Sequence, residues 1–160
     1  MAKPEIENIY NFLQLSDSVA TSGQPTKEQL VTIREAGYQI IVNLALTTST
    51  NALENEKELV EAIGMKYIHI PVVWEKPTVM DLKEFFKVMN SNSKQSIFVH
   101  CAANMRVSAF MYLYRLIQQD CSEIEAQKDL NKIWFPNMIW KNFIEEAITH
   151  SEEISSSSNL

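Results

Sequence analysis

The run YQIIVNLAL, residues 38–46, is the sequence feature that most constrains the fold. Drawn as a strand, it is apolar on both faces, whereas a strand with one face in solvent alternates apolar and polar residues. A strand that is apolar on both faces has to be covered on both sides. In proteins, helices usually provide this cover in a parallel sheet. The run therefore predicts an α/β fold.

Strand and helix patterns alternate along the rest of the chain. The segments MKYIHIPV and SIFVHC predict two more strands, and SVATSGQP predicts a short edge strand. Helices are predicted over Thr26–Gly37, over Ala52–Ile63, from Thr78, from Arg106, over Ser122–Trp134 and over Asn137–His150. We expect a mostly parallel central sheet with helices on both faces and a helical C-terminal part. Residues 1–150 are predicted to form a single domain, and the low-complexity tail, residues 151–160, to be disordered.

The composition argues against nucleic acid and membranes as partners of this protein. Fourteen basic and 20 acidic residues give a net charge of −6, which offers no basic face for nucleic acid. No apolar run approaches the roughly 18 residues of a membrane span, and the first residues lack the apolar core of a signal peptide. We therefore expect a cytoplasmic protein that binds neither nucleic acid nor membrane.

The stretch SIFVHCAANMR places a cysteine and an arginine at a junction between a strand and a helix. Cys101 ends the predicted strand, and Arg106 begins the helix that follows. Ligands of parallel sheets bind at such junctions, beyond the carboxyl ends of the strands. A helix N-terminus and a nearby arginine both lower the pKa of a thiol and so favour the reactive thiolate. The stretch predicts a nucleophilic thiolate.

The same loop is suited to binding an oxyanion. The small side chains of Ala102 and Ala103 leave the backbone N–H groups accessible, and Arg106 can hold two oxygens at once. The alternative is structural: Cys101 would be a buried small residue, Arg106 an exposed helix residue and His100 a core histidine with its hydrogen bonds satisfied. The combination of strand end, cysteine, short loop and arginine favours the functional interpretation.

The segments VHCAANMR and TSGQPTKEQLVTIREAGYQIIVNLAL resemble the cysteine-dependent protein tyrosine phosphatase superfamily. More closely, they resemble a small bacterial phosphatase-like family that is also found fused to metallo-β-lactamase-type persulfide dioxygenases. The resemblance runs from about Ser18 to about Tyr114. It implies that Cys101 attacks phosphorus to form a phosphocysteine and that Arg106 holds the phosphoryl oxygens. It implies no cofactor, a phosphorylated small molecule or phosphoprotein as substrate, and substrate-binding positions at His100, Ala102, Ala103, Asn104, Met105 and Ser108.

Two departures from the superfamily pattern keep other functions open. Four residues separate Cys101 from Arg106 where the phosphatase signature has five, and Asn104 replaces its usual glycine. Asn tolerates the left-handed turn that glycine would adopt there. The hydroxyl residue that usually follows the arginine directly is displaced to Ser108. Four-residue loops occur in rhodanese-type sulfurtransferases, so a persulfide carrier is one alternative, and a weakly active oxyanion- or phosphoprotein-binding module is another.

The loop PVVWEKPTVMD offers two candidates for the general acid that protonates the leaving group. Glu75 lies beside Trp74 in the loop, where the superfamily places this function, although it generally uses Asp. Asp81 falls in the first turn of a predicted helix, where carboxylates commonly stabilise the helix dipole. Glu75 is therefore the predicted acid, with Asp81, or no general acid at all, as the alternatives.

The remaining chemically active residues favour structural interpretations. The three histidines, His69, His100 and His150, show no zinc-ligand spacing, so no metal site is predicted. The charged run ENEKELVE is interpreted as a solvated helix face. Four aromatic residues are expected to pack around Pro136, and an exposed part of this group could bind a partner subunit, as in a homodimer: Trp134, Phe135, Trp140 and Phe143.

Overall fold

A computed structural model describes residues 5–158, with the side chains described up to residue 155. The strands are β1 (Leu13–Gln14), β2 (Val19–Ser22), β3 (Ile40–Asn43), β4 (Lys66–His69) and β5 (Ile97–His100). The helices are α1 (Lys27–Glu35), α2 (Glu56–Ala62), α3 (Val79–Ser91), α4 (Met105–Ile117), α5 (Glu123–Ile133), α6 (Met138–Thr149) and α7 (Ser151–Ser158). No helix within this described part is long and apolar enough to cross a lipid bilayer.

The five strands form one sheet in the order β1-β2-β5-β3-β4. All neighbours are parallel except β1, which runs antiparallel to β2. The predicted α/β class with a mostly parallel sheet and a helical C-terminal part is confirmed. The segment SVATSGQP was predicted as an edge strand, and this is wrong: it forms β2, which lies between β1 and β5. The two-residue edge strand Leu13–Gln14 is too short to give a hydrophobic pattern.

The chain divides into two compact units. The first comprises the chain up to Pro71 together with Lys94–Val107, and the second comprises Val72–Ser93 together with the chain from Ser108 onward. The first unit contains all five strands, α1, α2 and the start of α4. The single domain expected over residues 1–150 stays a prediction.

In the first unit, one hydrophobic core joins the sheet to α1 and α2. Leu30 and Ile33 of α1 and Val60 of α2 pack with Ile41 of β3 and Phe98 of β5, and all five are at most 1% exposed. Burial of apolar side chains on this scale is the main stabilising contribution to folding. The core holds the middle of the sheet, and the loops at the carboxyl ends of β3 and β5 extend from it.

Helix α1 begins with a capping box, which fixes its predicted start at Thr26. The Thr26 hydroxyl accepts a hydrogen bond from the Gln29 amide at 3.1 Å, and the Gln29 side chain accepts one from the Thr26 amide at 2.9 Å. The predicted start of α2 at Ala52 is wrong, because that helix begins at Glu56. Asn55 adopts a left-handed conformation with φ of 58°, which ends the preceding turn and does not fit within a right-handed helix.

The second unit is built around an aromatic cluster. Trp140 is fully buried and lies among four other aromatic rings, with centroid distances of 5.7 to 6.1 Å. These neighbours are Trp74, Phe110, Trp134 and Phe143. The expected packing of Trp134, Trp140 and Phe143 is confirmed, whereas Phe135 is 79% exposed.

The tail was predicted to be disordered, and for Ser151–Ser158 this is wrong, since these residues form helix α7. Ile154 is fully buried, and its amide donates a hydrogen bond to the His150 carbonyl at 3.1 Å. Helix α7 also contacts α3 and α6, which belong to the same unit. One isoleucine in a serine-rich segment is too weak a pattern to predict a packed helix. Residues 159–160 lie outside the described part.

We expect Ile154→Ala to lower the free energy of unfolding by about 2 to 4 kcal/mol, because it removes a buried aliphatic side chain and leaves a cavity. Chemical denaturation with urea measures this change. Glu152→Ala, at an exposed position of the same helix, is the matched control and should change stability by less than about 0.5 kcal/mol. Equal stability of Ile154→Ala and wild type would show that α7 does not pack.

Candidate active site

The predicted loop lies at the carboxyl end of β5, between β2 and β3. The strand ends at His100, the loop occupies residues 101–104, and α4 begins at Met105. Cys101 is a free thiol that is 1% exposed, and Arg106, in the first turn of α4, is 6% exposed. The structure thus brings together His100, Cys101, Ala102, Ala103, Asn104, Met105 and Arg106 in the first unit.

The carbonyl groups of the loop are held from outside by three neighbouring segments. The Ala102 carbonyl accepts hydrogen bonds from the Gln24 backbone N–H and from the Asn51 side chain, both at 3.1 Å. The Ala103 carbonyl accepts one from the Asn11 side chain at 3.0 Å. In a trans peptide the N–H points opposite to the C=O, so the N–H groups of Ala103 and Asn104 point away from these three donors.

Asn104 adopts the left-handed conformation predicted for it, with φ of 66°. Its side chain is fully buried and donates hydrogen bonds to the Asn11 carbonyl at 2.8 Å and the Thr21 hydroxyl at 3.0 Å. Asn104 Oδ1 is a buried side-chain oxygen without a hydrogen-bond partner in the described part of the chain. The side chain therefore ties the turn of the loop to the start of the sheet, a link that glycine could not make.

Gly23, directly after β2, allows the chain to approach the loop closely. A Cβ atom at this position would lie 2.8 Å from the Ala102 carbonyl oxygen and 2.6 Å from the Tyr10 ring. The carbonyl is backbone and cannot rotate away as a flexible side chain would. Any larger residue at position 23 would therefore have to displace the loop.

Behind Cys101, a buried polar chain connects the loop to α2. His100 is fully buried, and its Nε2 lies 2.6 Å from Glu56 Oε2. Glu56 Oε1 accepts a hydrogen bond from the Gln24 side chain at 2.8 Å. Because a carboxylate only accepts, His100 Nε2 carries the proton of the first bond. Gln24 therefore donates a hydrogen bond to Glu56 from its side chain and another to the Ala102 carbonyl from its backbone N–H.

The environment of Glu56 keeps its carboxylate ionised. Burial raises the pKa of Glu56, but the electrostatic interaction and hydrogen bond with His100, together with the bond from Gln24, outweigh burial and lower the pKa below its ordinary value of 4.5. Glu56 is 5% exposed, although it is the third residue of the run ENEKELVE, residues 54–61, that was interpreted as a solvated helix face. That interpretation is wrong for Glu56.

The other predicted site residues, Glu75 and Ser108, belong to the second unit, as does the alternative acid Asp81. Glu75 is exposed in a turn between β4 and α3. Asp81 lies in the first turn of α3, and its amide donates to the Thr78 hydroxyl at 3.1 Å, which fits the interpretation of Asp81 as a helix-start residue. The Ser108 hydroxyl accepts a hydrogen bond from the Trp134 indole at 3.0 Å.

Sequence reasoning missed four residues that support the loop: Asn11, Gln24, Asn51 and Glu56. Each is separated from its loop partner by many positions along the chain, so no local spacing reveals the pair. The one available signal was the position of Asn51 and Glu56 just after the apolar run at residues 38–46. Loops at the carboxyl ends of adjacent parallel strands meet at the same edge of a sheet.

Solved structures of similar proteins share this fold. A DUF442 protein of Shewanella putrefaciens CN-32, assigned as a phosphatase, is 31% identical with a TM-score of 0.82, covering 91% of this chain and 96% of that one. The core catalytic domain of the S. cerevisiae PP-IP phosphatase SIW14 is 17% identical with a TM-score of 0.73, covering 94% of each chain. The kinase associated phosphatase is 13% identical with a TM-score of 0.77. The last two show the fold alone.

Curated relatives extend beyond this chain. Two beta-lactamase hydrolase-like proteins of Xylella fastidiosa, from strains Temecula1 and 9a5c, are 26% identical to it over 120 residues. The match covers 72% of this chain and 28% of theirs, so the chain spans less than a third of the length of these relatives.

A whole-family comparison agrees with the fold. Residues 7–150 match the family described as DSP-PTPase phosphatase fused to NAD+ kinase. This match covers most of the chain and confirms the resemblance seen in the sequence. The chain therefore belongs to this family of dual-specificity, tyrosine-phosphatase-like proteins.

Proposed function

We propose that the protein hydrolyses a phosphomonoester through a phosphocysteine intermediate on Cys101. The observation that carries this proposal is the structure of the loop at residues 101–106. Its Ala102 and Ala103 carbonyls accept hydrogen bonds from residues outside the loop, and the Cys101 thiol and the Arg106 guanidinium lie at its two ends. Backbone N–H groups, a helix N-terminus and an arginine together provide a binding site for a dianionic phosphoryl group. Membership of a phosphatase family supports the same reaction.

In the first step, the Cys101 thiolate attacks phosphorus, a sulfur–phosphorus bond forms, and the ester oxygen leaves. Glu75 donates a proton to that oxygen, which departs as an alcohol. In the second step, water attacks the phosphocysteine, the sulfur–phosphorus bond breaks, and inorganic phosphate leaves with the thiolate restored. Glu75, now a carboxylate, takes the proton from the water. Arg106 holds the equatorial oxygens in both steps, where negative charge is spread over them.

His100 and Glu56 contribute by positioning. The hydrogen bond from His100 to Glu56 orients the histidine directly before Cys101, and its Nδ1 lies 3.3 Å from the Cys101 carbonyl oxygen. Within this scheme the remaining loop residues, Ala102, Ala103, Asn104 and Met105, bind phosphate by their backbone. Ser108, one turn into α4, is the proposed hydroxyl residue that assists departure of the thiolate.

The test compares two substrates on the wild-type protein. We expect release of nitrophenolate and inorganic phosphate from p-nitrophenyl phosphate, and no release of sulfite from thiosulfate with a thiol acceptor. Sulfite release without phosphate release would instead identify a sulfurtransferase. Binding of inorganic phosphate without either turnover would identify a binding module.

Glu75→Gln tests the general acid. We expect kcat for phenyl phosphate, whose leaving group has a high pKa, to fall about 100-fold, because the phenolate then leaves unprotonated. For p-nitrophenyl phosphate, whose leaving group is a weaker base, the fall should be only a few-fold. Steady-state kinetics on both esters measures the difference, and Asp81→Asn is the matched control. If Asp81→Asn shows the selective loss and Glu75→Gln does not, the acid is Asp81.

A further inference from the structure

The turn that carries Glu75 is short and mostly exposed. The Lys76 amide donates to the Val73 carbonyl at 3.1 Å, which closes a four-residue turn with Trp74 and Glu75 at its centre. Val73 is 43% exposed, and Glu75 and Lys76 are exposed as well. A general acid has to stay within hydrogen-bond reach of the oxygen that it protonates. A turn with three exposed side chains therefore needs an anchor that holds the acid in one place.

Trp140 of α6 provides such an anchor. Its indole N–H donates a hydrogen bond to the Trp74 carbonyl at 2.9 Å. This carbonyl belongs to the peptide that joins Trp74 to Glu75, so the bond acts on the backbone at the centre of the turn. The half-buried Trp74 ring lies 5.8 Å from the Trp140 ring and 5.3 Å from the Trp134 ring, centroid to centroid. Both the carbonyl and the side chain of Trp74 are thus held directly before Glu75.

Trp140 is itself held firmly within the second unit. Its side chain is fully buried, and its ring lies 6.1 Å from Phe110 and 5.7 Å from Phe143, again between centroids. Its backbone N–H donates to the side chain of Asn137, the N-cap of α6, at 3.0 Å. Close-packed interiors leave little room for movement. The exposed turn is therefore bonded to a fixed point of the second unit.

A buried indole N–H needs an acceptor, and one carbonyl can meet this need as well as another. Here the acceptor belongs to the residue directly before the proposed acid. We infer that Trp140 is a positioning residue for Glu75 and acts through the Trp74 carbonyl. This inference rests on the proposed phosphatase function, because Glu75 is the general acid only within that reaction. Loss of the bond should slow departure of a strongly basic leaving group and affect a weakly basic one little.

Trp140→Phe keeps an aromatic ring and removes the indole N–H. We expect kcat for phenyl phosphate to fall about tenfold and kcat for p-nitrophenyl phosphate to fall less than twofold, because only phenolate departure depends strongly on the acid. In the Glu75→Gln background the same substitution should change kcat for phenyl phosphate less than twofold, since no acid remains to be positioned. Tyr114→Phe, which removes the hydroxyl bonded to Asn90 at 2.8 Å in the same unit, is the matched control. It should retain the kcat of wild type for both esters.

Hydrogen exchange keeps this test separate from that of the proposed function. The Lys76 amide closes the turn, and its exchange rate should rise about tenfold in Trp140→Phe and stay unchanged in Tyr114→Phe. If Trp140→Phe does not fold, Trp74→Leu removes the ring contacts at a half-buried position and should give the same selective loss and the same faster exchange.

The outcomes separate the two proposals. If wild type hydrolyses neither ester but exchange at Lys76 rises in Trp140→Phe, the phosphatase proposal fails and the positioning of Glu75 by Trp140 stands. Unchanged exchange at Lys76 would overturn the role of Trp140. So would an equal loss of activity on both esters, or a selective loss that persists in the Glu75→Gln background.

Discussion

Cys101→Ser should abolish phosphate release from p-nitrophenyl phosphate, with a fall in kcat of at least about a thousandfold. The serine hydroxyl has no thiolate-like ionisation at neutral pH, and in this loop no neighbouring base is proposed that would deprotonate it. Loss of the nucleophile in other covalent enzymes leaves a residual rate that comes from binding and charge stabilisation alone. Phosphate release is measured at saturating substrate with wild type and variant side by side.

The chain offers a matched control in its other thiol. Cys121→Ser, at a half-buried position before α5, should retain full activity. The Cys101→Ser protein should still bind inorganic phosphate, which separates a missing nucleophile from a misfolded loop. Mass spectrometry of acid-quenched wild type should find one phosphoryl group on the peptide that contains Cys101. Phosphate release that persists in Cys101→Ser would refute the cysteine mechanism.

The sheet and the loop could be predicted because their signals are local. A run that is apolar on both faces, such as residues 38–46, indicates a parallel strand by itself, and Cys101 and Arg106 are five positions apart. The left-handed turn at Asn104 was also predictable, since few residue types adopt that conformation. These features depend on residues that are close together in the sequence.

The support of the loop could not be predicted because it depends on contacts between distant segments. Glu56 lies 44 positions from His100, Asn51 lies 51 from Ala102, and Asn11 lies 92 from Ala103. An acidic residue in a charged helical run normally faces solvent, and only the tertiary structure shows that Glu56 does not. The same holds for Ile154, whose burial depends on contacts of α7 with other helices.

Glu56→Ala should lower the free energy of unfolding by about 3 kcal/mol or more. Removing one partner of a buried pair leaves the other polar group buried without its hydrogen bond, and His100 is fully buried. Gln24 would lose its acceptor in the same variant. Urea denaturation at neutral pH measures the change, and Glu61→Ala, on the exposed side of the same helix, should change stability by less than about 0.5 kcal/mol.

Glu56→Gln separates the charge of this residue from its shape. Its side-chain oxygen can still accept from His100, so the loss of stability at neutral pH should be smaller, about 1 kcal/mol. We expect kcat/KM to fall about tenfold, because His100 is held less firmly directly before Cys101. If kcat/KM and its pH profile stay unchanged although the protein is destabilised, Glu56 has no role in positioning His100 for the reaction.

The pH dependence of stability provides the sharpest test of the interaction between Glu56 and His100. The pKa of Glu56 is lower in the folded protein than its ordinary value of 4.5, so the unfolded chain takes up a proton first as the pH falls. The stabilisation from Glu56 is therefore complete above pH 4.5 and is lost as the pH drops through the folded pKa. Asp129, whose pKa is also lowered by Arg115 and Lys132 against the effect of burial, contributes in the same direction.

Because Asp129 is present in both proteins, the difference in unfolding free energy between wild type and Glu56→Gln isolates the contribution of Glu56. That difference should be constant from neutral pH to about pH 5 and should shrink below pH 4.5 as wild type loses its advantage. A difference that stays constant down to the acid unfolding transition would mean that Glu56 has the same pKa in both states. Glu56 would then not stabilise the loop through its charge, and its contribution would be the hydrogen bonds alone.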